Sequence, residues 1–172
     1  MTADFIYLNL TNAKSTDNST WGTTNSSIFT LGNGVTPNTS WNANGQRFIA
    51  YCWAEIEGYS KFGSFSGNSS TDGVFVYTGF RPAWVMIKRT DSTDSWAIFD
   101  SSRDSTNPVE RLLRAESSNA EATMTSLVSN PFGDLLSNGF KVRNTSTIDN
   151  ASGGTYIFAA FAESPFSYSN SK

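Results

Sequence analysis

A chain of 172 residues can build one substantial core, and an aromatic content of 14% supplies apolar payload that disordered segments lack. Charged residues make up only 16%, the net charge is −3 and no basic cluster occurs, which excludes a partner held mainly through phosphates; nucleic acid is not expected. No stretch has the apolar length of a membrane span, the first residues lack the layout of a signal peptide, and the lone Cys52 excludes a disulfide within the chain, so no membrane insertion is expected.

Period-two alternation between Gly, Asn, Asp and Ser clusters predicts strands over 5–10, 27–31, 47–55, 60–65, 74–78, 83–89, 96–100, 139–143 and 155–163. In 83–89 one face carries Ala83, Val85 and Ile87 and the other Trp84, Met86 and Lys88, the pattern of a strand buried on one side and partly covered on the other. Trp53, Trp84 and Trp96 lie inside strand patterns and read as core. One stretch departs from this pattern: Asn107-Pro108 can start a helical turn, and 109–122, with Glu110, Arg111, Leu112, Leu113 and Arg114, reads as a short helix or an irregular edge segment. The expected fold class is all-β, an antiparallel sandwich with at most one short helix.

The chain also repeats itself. Asn42-Ala43-Asn44-Gly45 precedes FIAYCWAE at 48–55 just as Asn150-Ala151-Ser152-Gly153 precedes YIFAAFAE at 156–163. Each copy reads as a β-hairpin whose second strand is apolar on both faces and belongs at a sheet centre. The expectation is a single β-sandwich domain over 1–172 containing two hairpin copies, about 27–55 and 139–163, within a longer repeated protein.

The combination FIAYCWAEIEGYSKFGSF at 48–65, GFRPAWVMIKRTD at 79–91, SNGFKVR at 137–143 and NASGGTYIFAAFAESPF at 150–166 resembles a repeat domain of uncharacterised function, widespread in tail-fibre and structural proteins of marine bacteriophages. The resemblance covers nearly the whole chain. It implies a virion setting, with assembly in the host cytoplasm and exposure on the particle, and a concanavalin A-like jelly roll. It supplies no binding residues.

Chemistry is sparse. With no His in the chain, the Ser-His-Asp triad, the usual general base and most zinc sites are absent, and no cofactor is expected. Glu55, Glu57 and Glu163 are the acids nearest aromatic strands and could be read as a glycosidase pair, but Glu55 and Glu163 end equivalent strands and read better as rim hydrogen-bonding groups. Asp72, Asp91 and Asp94 lie in turns, where calcium ligands occur, although turn chemistry alone accounts for them and no metal site is assigned. Sugar binding needs an exposed aromatic plane beside amides or carboxylates. Trp21 and Trp41 sit in such settings, with burial as loop anchors the plainer reading of each, and Tyr59, Asn68 and Asp72 make a second loop-rich candidate.

The expected function is therefore a non-enzymatic virion module, structural and adhesive, part of a tail fibre that contacts host-surface glycan. Its partners would be other virion proteins or further copies of the chain, by analogy a homotrimer joined near Phe166 and Tyr168. The alternatives are a capsid- or tail-associated scaffold that binds only virion proteins, and a polysaccharide depolymerase.

Overall fold

A computed structural model describes residues 3–17, 21–25, 27–31 and 45–165. The chain divides into two compact units, Met1–Ile6 with Lys14–Trp53, and Tyr7–Ala13 with Ala54–Lys172. The first hairpin copy falls in the first unit as far as Trp53, and the second copy in the second unit.

The first unit holds two short antiparallel pairs, β1 (Ala3–Phe5) with β2 (Ser15–Asp17) and β3 (Trp21–Thr24) with β4 (Phe29–Leu31). Asp4 binds the first pair together by accepting from Lys14 Nζ at 2.6 Å and Thr16 Oγ1 at 2.7 Å. Asn25 shapes the second, its Oδ1 accepting from the backbone of Ser27 and Ile28, the local bond that makes Asn a turn residue. Residues 47–55, expected as a central strand, form none. Their apolar side chains stand in solvent: Ile49 is 82% exposed, Tyr51 76% and Trp53 66%, so Trp53 is not core. A strand apolar on both faces is stable only with neighbours on both edges, and the described residues supply none here.

The second unit is an antiparallel sandwich of two sheets. One has six strands in the order β10-β9-β8-β7-β13-β5, formed by β5 (Ser60–Ser66), β7 (Pro82–Arg89), β8 (Trp96–Asp100), β9 (Arg111–Arg114), β10 (Ala122–Thr123) and β13 (Thr155–Ala162). The other has three, β11 (Gly133–Leu136), β12 (Gly139–Val142) and β6 (Phe75–Tyr77), in that order. Alternate side chains of β7, β8 and β13, among them Val85, Ile87, Phe99, Tyr156 and Phe158, meet Val76, Leu135, Phe140 and Val142 of the smaller sheet in one buried cluster. Phe99 stacks on Phe132 with centroids 3.9 Å apart, and Phe140 meets Phe158 edge-on at 5.5 Å. Trp96 is buried as expected, its indole N–H donating to Tyr7 O. Trp84 lies half-buried on the outer face of the large sheet, against Phe161.

Lys88, read as partly covered, is fully buried, with its ammonium donating to the carbonyls of Thr11 and Arg89. Burial holds its pKa below the usual lysine value. The segment over 109–122, read as a short helix or an irregular edge segment, is not helical; it supplies β9 toward the end of the large sheet, because pairing with β8 overrides the helix preference of Arg-Leu-Leu-Arg. The one helix described, α1 (Met124–Val128), comes later; Thr123 caps it by accepting from Ser126 N.

Candidate functional site

Loop 67–73 joins β5 of the large sheet to β6 of the small one, at one end of the sandwich. A single buried amide holds it from below. Asn150 Oδ1 accepts from Asn68 N at 2.9 Å, and Asn150 Nδ2 donates to Ser70 O at 3.0 Å and to Asn144 O at 2.6 Å. The backbone adds Ser69 N to Asn150 O at 2.8 Å, and Gly67 exchanges both of its bonds with residues 153 and 154. Gly67 is required by contact as well, since a Cβ there would sit 2.3 Å from Ala151 O. Asn150 opens the second hairpin's turn motif, so a residue chosen for its turn also anchors a loop 82 residues earlier in the chain.

The outward face of this loop is polar. Asp72 is 82% exposed and pairs with Lys141 Nζ at 2.5 Å, which holds its carboxyl below the usual range, with Arg143 adding a weaker pull at 3.8 Å. Asn68 Oδ1 accepts from Ser70 N, closing an Asx turn. Tyr59 does not join these two residues. It precedes β5 while Asn68 follows it, so the seven-residue strand separates them by roughly 20 Å; its ring packs edge-on against Phe161 instead. Trp41 lies outside the described residues, as do Phe166 and Tyr168, and Trp21 contributes its backbone to β3.

Beneath the loop lies a second buried polar group. Asp149 is fully buried, Oδ2 accepting from Asn144 Nδ2 at 3.0 Å while Oδ1 has no hydrogen-bond partner. Burial pushes its pKa up to about 7, an effect that the Asn144 bond only partly offsets. Nearby Tyr156 donates to Thr147 O and accepts from Ala151 N. Burial raises its pKa to about 12, which keeps it a neutral donor. These groups brace the turn before β13.

Of the other acids singled out in the sequence, Asp91, Asp94, Glu55 and Glu163 are engaged by cations or amides, whereas Glu57 is exposed. Arg89 grips Asp91 through two nitrogens at 3.1 Å, holding its carboxyl at about 2, and Asp91 also accepts from Thr155 N. Asp94 accepts from Ser95 N. Glu55 pairs with Lys61, and Glu163 with Arg81 at 3.0 Å, so both carboxylates sit in rim ion pairs. Among the described residues, no three acidic or Cys side chains gather as a ligand set.

Sequence reasoning did not find the groove beside the loop. It has a volume of about 400 Å³ and runs between β5 and β6, the edge strands of the two sheets among the described residues, lined by Lys61, Ser64, Phe65, Phe75, Tyr77 and Phe158 among others. Only the alternation of Phe75 and Tyr77 hinted at it, since those rings face away from buried Val76.

No curated protein and no solved structure matches the chain. Over residues 1–165 the sequence matches the family described as a domain of unknown function, DUF7483, and the chain belongs to that family.

Proposed function

We propose that this chain is a non-enzymatic structural and adhesion module of a bacteriophage virion, part of a tail fibre. In this reading the sandwich supplies rigidity and loop 67–73 meets a host-surface glycan. One observation carries it: a polar loop, pinned by the buried Asn150 amide, presents Asn68 and Asp72 on the end of a rigid body. A pre-ordered loop loses little entropy on binding, and amides and carboxylates are the groups that bond sugar hydroxyls. The tail-fibre setting draws its support from the motif resemblance. Repetition along a fibre would let weak single sites act together.

The test is adsorption of the purified protein to host cells and to their extracted surface polysaccharide. Removing both side chains, Asn68→Ala with Asp72→Ala, should weaken adsorption about tenfold or more, the effect of one or two lost hydrogen bonds to a charged or amide group. Adsorption equal to that of the unaltered chain rejects the loop as the site. A second reading, a scaffold that binds only virion proteins, is favoured by exposed Ile49, Tyr51 and Trp53. It predicts no adsorption at all, together with retention of the protein in purified particles.

A further inference from the structure

Among the described residues, the chain carries an apolar segment without strand neighbours and a sheet edge without a neighbour. Antiparallel strands bond alternately to either side, and Ser60 exchanges both backbone bonds with Ile56 on the side away from β13. Alternation therefore turns the N–H and C=O groups of Phe62, Ser64 and Ser66 outward, on the edge that no strand among the described residues covers. The free stretch, 62–66, is five residues long. Below it lies the groove floored by Phe65 and Phe158 and walled by Phe75 and Tyr77 of β6. Gly63 lets the strand backbone lie against the Phe158 ring, for a Cβ there would lie 2.9 Å from it.

Residues 49–53 match this edge in length and chemistry. In an extended segment Ile49, Tyr51 and Trp53 share one face, and they are the most exposed large apolar side chains of the run; the other face carries Ala50 and Cys52. Tyr51 and Trp53 already lie side by side, with centroids 6.3 Å apart. The surrounding sequence, FIAYCWAE, shares the alternation of YIFAAFAE in β13, the strand that β5 accepts on its other side, with Ile49, Tyr51 and Trp53 at the positions of Ile157, Ala159 and Phe161 on the face of β13 away from the core. We propose that segment 49–53 of one copy adds as an antiparallel strand to the free edge of β5 in a second copy, seating Ile49, Tyr51 and Trp53 in the β5–β6 groove. An uncovered edge recruits strands in this way. The contact joins unlike surfaces, so it closes as a reciprocal pair or a ring, or runs on along a fibre. It stands independently of glycan binding by loop 67–73.

The experiment measures solution mass against concentration, under reductant so that exposed Cys52 forms no disulfide. The unaltered chain should self-associate below about 100 µM, the range expected of a modest interface. Two variants test the two surfaces, Tyr51→Ser with Trp53→Asp for the strand and Ser64→Pro for the edge, since proline removes an outward N–H. Each alone should be monomeric with an unchanged circular dichroism spectrum. Mixed in equal amounts they should form a heterodimer, because one retains the edge and the other the strand. If Ser64→Pro disturbs the fold, Ser64→Lys with Phe62→Lys blocks the same edge by charge. A monomeric unaltered chain, association that survives in the variants, or a mixture that stays monomeric would overturn the proposal. So would a monomer whose Trp53 fluorescence is that of a buried indole, because the segment would then be covered within its own chain.

Discussion

Segments 48–55 and 156–163 carry nearly the same eight-residue pattern and meet opposite fates. In β13, Tyr156, Phe158 and Ala160 are buried, with β5 on one edge and β7 on the other. In 48–55 the equivalent residues form no strand and the largest side chains stand in solvent. Alternation specifies which faces a strand can bury; whether it becomes a strand depends on what lies along its edges. The same conclusion holds for β9, where good helix formers became a strand because β8 offered an edge.

The largest expected effect contrasts equivalent positions. Tyr156→Ala should cost about 3–5 kcal/mol, since it removes a ring stacked 5.1 Å from Phe65 and opens a cavity beneath loop 67–73. Phe48→Ala, at the matching position, should change stability by less than about 0.5 kcal/mol, because Phe48 is exposed. Urea unfolding of both variants measures the difference, and equal losses would break the comparison.

Next comes a pH dependence confined to the turn before β13. The folded state holds Asp149 at about 7, against 3.8 for the ordinary value, so between these two pH values the folded chain binds the extra proton. Stability should then fall as pH rises from about 4 to about 7 and level off above, by on the order of 2–4 kcal/mol from this group. Asp149→Asn should remove that fall, and a variant that keeps the same slope would show that the acid is ionised in the folded chain. Asp91 acts in the opposite sense, since Arg89 holds it at about 2: its contribution is present above about 4 and lost as pH drops toward 2. The two windows meet near pH 4, so their effects separate.

A smaller effect sharpens the account of the loop. Asn150→Ala removes one acceptor and two donated bonds and should cost about 2 kcal/mol. It should also open loop 67–73 to proteolysis while the strands of the large sheet stay intact. Cleavage no faster than in the unaltered chain would mean that the glycine contacts alone hold the loop.

Much of the second unit was legible in the sequence. Strands β5, β7, β8, β12 and β13 fall within a residue or two of the alternating runs, because each carries several β-branched or aromatic residues between turn clusters. Four-residue β11 was not, since Gly-Asp-Leu-Leu is too short for a period to appear. Nor was the exposure of Trp53, which depends on the absence of neighbours. Of the candidate site, Asn68 and Asp72 were found through their turn chemistry and do share one loop, while Tyr59 sits at the far end of β5. Asn150 was visible only as a turn residue, and the groove not at all, because both depend on chain segments brought together across the fold.

The most direct test of this account is hydrogen exchange along the chain at low concentration. Amides of 156–161 should exchange only through global unfolding of the second unit, and those of 48–53 at rates close to an unfolded peptide. Protection of 48–53 comparable to β13 in the dilute monomer would contradict the account, in which the first copy has no strand neighbours among the described residues of its own chain.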